Sequence, residues 1–291
     1  MLGAHWSIAK GLHHALQTAH VYGCNALQIF TKNATAWKER TLSPEEIALF
    51  QQTKVQTGIG IIAAHTSYLI NLASIEKEKY AKACGALKQE LARASLLGIP
   101  FVVHHPGSHK GIGDAEGINR ITDSINSIFS DTPGSGVILL LETTAGQGSS
   151  VGHTFEQLAA IIDKIEKKAR VGVCLDSSHI FAAGYDIRKK AVYGNTINAF
   201  EAVIGLKNLH LIHLNDSKTM FGSRVDRHEH IGRGYIGLEA FRCFMNDKRF
   251  RNIAKIIETP KKKKGKDWDK VNLKLLRSLV KQHTTRPVLR G

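Results

Sequence analysis

Cysteine is scarce in this sequence, and the few cysteines present are scattered. Among 291 residues there are four, far apart and without a C-x-x-C pair: Cys24, Cys84, Cys174 and Cys243. This spacing argues against a disulfide framework and against a zinc site made of thiolates. We expect all four to be reduced, buried and without a chemical role.

Long apolar runs are also missing. No window approaches the roughly 18 consecutive apolar residues that a membrane helix requires, and the N-terminal sequence MLGAHWSIAK lacks the apolar core of a signal peptide. Proline is rare, at 6 residues, while 43% of the residues are hydrophobic, which is typical of a globular protein and excludes general disorder. We therefore expect a soluble, intracellular protein that contacts no membrane.

Acidic residues are too few to balance the basic ones. The sequence has 25 Asp and Glu against 40 Lys and Arg, which gives a formal net charge of +15. A charge of that size says little about the fold, but it favours a polyanionic partner such as nucleic acid.

Short apolar runs alternate with amphipathic stretches, which predicts alternating strands and helices. Eight such runs predict strands at Leu2–Ser7, Asn25–Phe30, Gly60–His65, Phe101–His105, Val137–Glu142, Val171–Asp176, Leu209–Asn215 and Ile253–Glu258. The clearest helices are predicted at Ser43–Thr57, Glu76–Leu97, Thr154–Lys167 and Asp269–Lys281. Capping patterns at Ser43 (SPEE) and at Thr154 with Gln157 open two of them.

The number and spacing of these elements indicate a barrel. Dividing 291 residues by eight strands gives about 36 residues per strand and helix, close to the repeat of a (β/α)₈ barrel of ~250 residues. A doubly wound open sheet is the alternative, but no glycine-rich phosphate fingerprint follows the first strand. We predict an α/β protein with a single (β/α)₈ TIM-barrel domain over residues 1–291. The Lys-rich segment at 261–266 is predicted to be a solvated loop.

Polar side chains collect at the ends of six successive predicted strands, where barrel enzymes place their active sites. A lone histidine in such a place is usually a hydrogen-bonded rim residue, but six strand ends in succession are not explained that way. With the polar residues that follow the sixth and seventh strands, the candidates are His65, His105, Glu142, Asp176, His179, His213, Asp226, His228 and Glu258.

These nine residues share the ability to bind zinc or manganese through nitrogen and oxygen. Nine ligands are too many for one tetrahedral ion and enough for two or three if a carboxylate bridges. Clusters of this kind suit phosphoryl chemistry, because one ion can activate a water while another stabilises the leaving oxygen. Together with the charge of +15, they predict a metal-dependent enzyme that acts on a polyanion.

Nearly the whole chain resembles the endonuclease IV family of zinc-dependent apurinic/apyrimidinic endonucleases. The segments that carry the resemblance are GAHWSIAKGL, FTKN, HTSYLINLAS, HHPGSH, LLLETTAGQGSSVG, GVCLDSSHIFAAGYDI, HLNDSK, FGSRVDRHEHIGRGYIG, IIETP and DKVNLKLLRSL. The resemblance implies a TIM barrel with three zinc ions that hydrolyses the phosphodiester 5′ to an abasic site in duplex DNA. The products are a 3′-hydroxyl and a 5′-deoxyribose phosphate, formed during base excision repair.

The resemblance also assigns the nine ligands to three ions. It places His65, His105 and Glu142 on the first; Glu142 as a bridge, with Asp176, His213 and Glu258, on the second; and His179, Asp226 and His228 on the third. Glu142 and Glu258 are the implied catalytic residues. Manganese in place of zinc at one position stays open. In HHPGSH the ligand is expected to be His105, with His104 part of the strand and His109 a phosphate contact or a loop support.

The implied DNA contacts come from two loops. Family members insert side chains from the loop after the third strand, which here are Tyr68 and Leu69; ordinary rim packing is the alternative. Relatives often carry a long basic or amide side chain in the FTKN loop, where this sequence has Thr35. We expect a weaker wedge there, for which Lys38 or Arg40 could substitute. A monomer in the cytoplasm, at the nucleoid, is expected, or a nuclear or organellar protein if the source is eukaryotic.

Two other functions stay open at this point. A sugar isomerase or epimerase of the same barrel type binds one or two divalent ions through Glu, Asp and His, but it needs fewer ligands and no charge of +15. A DNA-binding barrel that has lost catalysis would lack a ligand, and none of the nine is missing.

Overall fold

A closed barrel of eight parallel strands forms the centre of the molecule, in a computed structural model that describes residues 1–38, 40–263 and 265–281. The strands are β1 (Leu2–Trp6), β2 (Ala26–Phe30), β3 (Ile61–His65), β4 (Phe101–His104), β5 (Ile138–Glu142), β6 (Val171–Asp176), β7 (Leu209–His213) and β8 (Ala254–Ile257). They follow one another around the barrel in chain order, and β1 closes it by pairing with β8. The predicted fold class is therefore confirmed, and each predicted strand is present within two residues of its predicted ends.

Helices surround the barrel. They are α1 (Leu12–Val21), α2 (Pro44–Thr57), α3 (Lys77–Leu96), α4 (Asp114–Asp131), α5 (Phe155–Lys164), α6 (Ser177–Ala183), α7 (Lys190–Val203), α8 (Leu238–Asn246) and α9 (Trp268–Ser278). Ser43 begins α2 with a complete capping box, in which its side chain accepts from the Glu46 amide and the Glu46 carboxylate accepts from the Ser43 amide. Thr154 caps α5, but the Gln157 side chain accepts from Gly152 and His153 instead.

Two helices end about three residues earlier than predicted. Asn126 of α4 accepts from the Glu166 amide and donates to the Lys164 carbonyl, which satisfies the backbone at the end of α5. Asn246 makes the corresponding pair of bonds to the Leu279 carbonyl and the Lys281 amide after α9. Both ends are therefore set by a side chain from a neighbouring helix.

Alternation along the strands divides the apolar residues into two cores. One set fills the barrel lumen: Ala26, Ala63, Val103, Leu140, Cys174, Leu211, Ala254 and Ile256. The other set lies between the strands and the helices and is larger. Because successive side chains of a strand point to opposite faces, the lumen series Ile61, Ala63 on β3 continues to His65, and the series Ile138, Leu140 on β5 continues to Glu142. The lumen is thus apolar below and polar at the carboxyl ends of the strands.

Several smaller expectations can be compared with the structure. All four cysteines are free, but only Cys24 and Cys174 are buried, and the other two are half-buried. The segment predicted as a Lys-rich loop includes a short antiparallel pair, Lys262–Lys263 with Lys266–Asp267; Lys264 and residues 282–291 of the predicted domain lie outside the described residues. In the described part of the chain, no helix combines the length and the apolar composition that a bilayer span needs.

Candidate metal centre

The nine predicted ligands converge at the carboxyl ends of the barrel strands. His65, Glu142, Asp176 and His213 are the last residues of β3, β5, β6 and β7, while His105 and Glu258 directly follow β4 and β8. The other three come from α6 and from the segment after β7: His179, Asp226 and His228. All the ligands predicted from the sequence therefore share one site.

Glu142 lies at the centre of the site and is fully buried. Its Oε2 atom is 3.1 Å from His65 Nε2 and 3.0 Å from His105 Nε2. Its Oε1 atom faces the opposite side, 2.8 Å from His213 Nδ1 and 3.4 Å from His179 Nδ1. The two oxygens of one carboxylate thus face two different sets of donors.

A second group of donors joins Glu142 to Asp176, His213 and Glu258, whose ligand atoms lie within 4.8 Å of one another. His213 Nδ1 is 3.1 Å from Glu258 Oε2 and 3.8 Å from Asp176 Oδ2. Three of the four side chains have no exposed surface, while that of Glu258 is 14% exposed. Glu258 therefore lies closest to solvent in this group.

The third predicted group, His179 with Asp226 and His228, is also assembled. Asp226 lies 3.2 Å from His179 Nε2 and 3.5 Å from His228 Nε2, and the two imidazole Nε2 atoms are 3.4 Å apart. Asp176 Oδ2 approaches His228 Nε2 to 3.7 Å. Asp176 consequently lies between the second and third groups.

Backbone carbonyls orient two of the histidines. His65 Nδ1 is 2.8 Å from the Thr66 carbonyl, and His179 Nδ1 is 2.8 Å from the Thr143 carbonyl. A carbonyl only accepts, so each Nδ1 atom carries a proton, and Nε2 is the nitrogen that faces the site. A histidine whose outer nitrogen donates to a carbonyl in this way is a typical metal ligand.

Sequence reasoning missed several residues that support these ligands. Asn215, fully buried after β7, donates to Asp176 Oδ2 at 2.6 Å and accepts from the Glu258 amide at 2.7 Å. Asp216 accepts from the amides of Gly234 and Ile236, which anchors the segment that carries His228. Gln28 on β2 contacts both His213 and Glu258. A buried polar residue inside an apolar strand was the available signal for Gln28.

Charges within the site shift the ionisation of its members strongly. Burial alone would raise the pKa of the Glu142 carboxyl, but His213 and His105 outweigh it and hold that pKa well below its usual range. Burial opposes protonation of His179 as well, yet Asp176 and Asp226 raise its pKa well above the ordinary value. The Glu142 carboxylate is therefore ionised and needs positive charge beside it, which divalent cations would supply.

The donor chemistry of the site fits zinc. Nitrogen and oxygen atoms suffice to build all three groups, and zinc accepts both. One thiol, Cys174, also lies beside Glu142 and His213, but burial raises its pKa to about 12, so it stays protonated. Cys174 belongs to the apolar lumen beneath the site.

The two neighbouring histidines of the HHPGSH segment have separate structural roles. His104 is 1% exposed and bonds the Thr66 hydroxyl through Nδ1, and burial lowers its pKa to about 3. His109 Nδ1 accepts from the amides of Gly111 and Gly113. It therefore supports a loop, which is one of the two roles predicted for it. Neither joins the nine donors.

A cleft of about 830 Å³ opens beside the donors. His105, His179 and Asp226 line part of its wall, together with the predicted DNA contacts Tyr68 and Leu69. The Tyr68 ring centroid is 5.7 Å from that of His65, and the residue is 65% exposed. Leu69 is 36% exposed. Both side chains are therefore accessible at the edge of the metal centre.

The FTKN loop approaches the same edge. The Thr35 amide and hydroxyl both donate to Asn33 Oδ1, at 3.0 and 2.9 Å, and form an Asx turn. Ser67 donates to the Ala34 carbonyl, which ties this loop to the residue before Tyr68. Arg40, one of the two possible substitutes for a longer side chain, pairs with Glu46 at 2.8 Å. That pair holds Arg40 against the start of α2.

Comparison with known proteins places the chain in a family. The family model described as "Xylose isomerase-like TIM barrel" matches residues 16–279. "Probable endonuclease 4" of Geotalea daltonii is 45% identical over 281 residues, which are 97% of this chain and 98% of that protein. The crystal structure of endonuclease IV from Thermus thermophilus superposes with a TM-score of 0.85 at 34% identity, covering 96% of this chain and 98% of that one.

A D-tagatose 3-epimerase-like protein also shares the fold, with a TM-score of 0.72 and coverage of 95% of this chain and 96% of that one. At 19% identity this likeness shows the fold alone. The endonuclease 4 relatives, by contrast, match nearly their full length at more than twice that identity. The chain belongs to the endonuclease IV family.

Proposed function

We propose that this protein is a zinc-dependent endonuclease that hydrolyses the phosphodiester 5′ to abasic sites in duplex DNA, leaving a 3′-hydroxyl and a 5′-deoxyribose phosphate. The observation that carries the proposal is the central position of Glu142, whose Oε2 atom lies 3.0 to 3.1 Å from His105 and His65 and whose Oε1 atom lies 2.8 Å from His213. A carboxylate in this position could bridge two ions, and paired ions stabilise both the attacking and the leaving oxygen of a phosphodiester.

The nine residues would hold three ions, distributed as the family resemblance implies. His65 and His105 share Glu142 with the group formed by Asp176, His213 and Glu258, and the third group is His179, Asp226 and His228. Zinc ions in such a site lower the pKa of a water and neutralise charge on phosphate oxygens. Glu142 and Glu258 are the proposed catalytic carboxylates. Manganese at one position would be compatible with the same donors.

The DNA-binding side of the proposal depends on the mouth of the barrel. An abasic nucleotide is cheaper to extrude than a paired one, and a side chain that fills the gap stabilises the extruded state. Tyr68 and Leu69 are exposed beside the ligands and would fill that gap. The net charge of +15 favours the phosphate backbone as a partner. We expect the protein to act as a monomer on chromosomal DNA in the cytoplasm.

Metal analysis combined with a cleavage assay tests the proposal. Purified protein should hold close to three zinc ions per chain by elemental analysis and should cut a duplex that carries one abasic analogue. The cut should lie 5′ to the analogue and leave a 3′-hydroxyl, which a polymerase can extend. One ion or none in active protein would contradict the trinuclear site, and binding without cleavage would favour a damage-marking protein.

Salt dependence separates the nuclease from a small-sugar enzyme. The affinity for duplex DNA should fall with a logarithmic slope of roughly −0.9 per phosphate contact. A protein with six or more contacts should lose about 10³-fold in affinity between 50 and 200 mM salt. A flat salt dependence, with turnover of a free sugar, would favour an isomerase or epimerase instead.

A further inference from the structure

Gln28 occupies the one polar position of β2, a strand that contributes no predicted ligand. Its neighbours Ala26, Leu27 and Ile29 are buried and apolar, and Gln28 itself has no exposed surface. A buried primary amide is costly unless both its carbonyl and its amino group find partners. The partners that Gln28 has are therefore informative.

Those partners belong to the candidate metal centre. Gln28 Oε1 is 2.8 Å from His213 Nε2, and Gln28 Nε2 is 2.6 Å from Glu258 Oε1. The amino group also lies 3.0 Å from His5 Nδ1. An ionised carboxylate only accepts, so the amino group must face Glu258 and the carbonyl must face His213. The orientation of the amide is therefore determined by its surroundings.

This orientation selects the form of His213. A carbonyl oxygen accepts a hydrogen bond, so His213 Nε2 must carry a proton, and the neutral ring then has its lone pair on Nδ1. That Nδ1 atom is the one 2.8 Å from Glu142 and 3.1 Å from Glu258. His65 and His179 are arranged in the opposite sense, with Nδ1 on a backbone carbonyl. His213 alone of these three is oriented by a side chain.

The same amide also positions Glu258. Its donation to Oε1 leaves Oε2, which is 3.1 Å from His213 Nδ1, as the oxygen on the side of the ligand cluster. His5 Nδ1 lies 3.4 Å from the same Oε1 atom. One side chain from β2 therefore aligns a ligand of β7 and a ligand of β8.

We propose that Gln28 is a positioning residue for one ion of the centre, because it sets the tautomer of His213 and the orientation of the Glu258 carboxylate. This inference rests on the proposed metal-dependent function. Among the predicted ligands, the bonds that the structure gives to Gln28 go to His213 and Glu258, which both belong to the second group. The other two ions should be indifferent to its loss.

Metal retention is the decisive measurement. Zinc-loaded wild type, Gln28→Leu and Gln28→Met are dialysed against a series of chelator concentrations, and the ions left per chain are counted. Both variants remove the amide, and the unbranched methionine follows the shape of glutamine if leucine disturbs folding. Loss of an outer hydrogen-bond partner typically lowers metal affinity about 10- to 100-fold. We expect both Gln28 variants to lose one ion at a chelator concentration about 10- to 100-fold lower than wild type. They should retain the other two ions as wild type does.

Gln157→Leu is the matched control. Gln157 is a buried glutamine whose side chain accepts from the amides of Gly152 and His153 and bonds none of the nine ligands among the contacts described. Its loss should lower the melting temperature and leave the chelator series unchanged. The same proteins loaded with cobalt give a second readout. In the Gln28 variants, the visible absorption of one of the three cobalt ions should change, and in Gln157→Leu it should not.

Each outcome is informative. The inference is overturned if both Gln28 variants retain all ions like wild type, or if they lose all ions together, as a general loss of stability would cause. Wild type that holds three ions but does not cut abasic duplex would overturn the proposed nuclease and leave the Gln28 result standing. Wild type that binds no ion would overturn both.

Discussion

The strand ends and the loops at the barrel mouth hold their functional side chains in different ways. Glu142, Asp176 and His213 are fully buried, and each is the last residue of a strand whose register is fixed by its parallel neighbours. Tyr68 is 65% exposed on a loop, and the turn at Thr35 depends on the side chain of Asn33. The first region is held by the whole barrel, and the second by a few local bonds.

This difference matches the demands of the two proposed tasks. Metal ligands must be held within a fraction of an ångström, which rigid strands and their hydrogen-bond partners achieve. A side chain that enters the gap beside an extruded nucleotide needs access and some freedom, which a loop provides. Changes at the strand ends should therefore affect chemistry without affecting DNA affinity, while changes on the loops should do the reverse.

The largest effect should come from removing the ions. Chelation should abolish cleavage completely, and added zinc should restore it. The barrel should remain folded, because the lumen beneath the site, which includes Leu140 and Leu211, is a core of apolar side chains. Circular dichroism before and after chelation checks this. Unfolding on chelation would show that the strands do not hold the ligand positions by themselves. It would contradict the view that the whole barrel holds this region.

Glu258→Gln should have the next largest effect. The substitution keeps the volume of the side chain but removes the negative charge that would face an ion, so turnover should fall by about 100-fold or more. The affinity for abasic duplex and the melting temperature should stay close to wild type. Single-turnover cleavage and equilibrium binding measure the two quantities separately.

The matched control for that substitution is Glu156→Gln, in the exposed first turn of α5. It removes the same charge from an exposed side chain that bonds none of the nine predicted ligands among the contacts described, and it should leave turnover unchanged. Near wild-type cleavage by Glu258→Gln would show that the family resemblance assigns this residue wrongly.

Much of the fold and the convergence of the candidate site could be predicted because both follow from local periodicity. Each lumen-facing series has a period of two, so a polar residue at the end of an apolar run, such as His65 or Glu142, can be recognised without knowing the neighbouring strand. The resemblance then assigned these residues to ions. The geometry favours His105 over His104 as the candidate ligand, since His105 Nε2 lies 3.0 Å from Glu142 while His104 Nδ1 bonds the Thr66 hydroxyl.

What could not be predicted depends on partners distant in the chain. Gln28 bonds His213, 185 residues away, and Glu258, 230 residues away. Within β2 alone, it is only a polar residue in an apolar run. The ends of α5 and α9 differ from the prediction for the same reason, because Asn126 and Asn246 belong to other helices.

Tyr68→Ala tests the loop side of the comparison. Loss of one aromatic stack on a base typically costs roughly 1–3 kcal/mol, so the affinity for abasic duplex should fall about 5- to 150-fold. Tyr68→Phe keeps the ring and serves as the control, with affinity near wild type. Zinc content must be measured in both, because the Tyr68 ring lies 5.7 Å from that of the ligand His65. Unchanged affinity and abasic preference would contradict the wedge role. Loss of zinc would make Tyr68 a support for His65 instead.

Thr35→Arg should have the smallest effect, and it should increase the affinity for abasic duplex. Thr35 is exposed in the loop that Ser67 ties to the Tyr68 segment, so a longer side chain there can reach a duplex seated over the cleft. An exposed arginine that stacks on a base typically contributes about 0.5–1 kcal/mol, which predicts a two- to fivefold tighter complex with abasic duplex. Thr35→Gln separates the effect of side-chain length from that of charge. If the side chain acts as a wedge, the gain in affinity should appear in both variants and persist at high salt. If it contacts a phosphate, the gain should appear only with arginine and vanish as the salt concentration rises. An equal gain on undamaged duplex would show that this loop adds charge without reading the damage, and Tyr68 and Leu69 would then carry the selectivity.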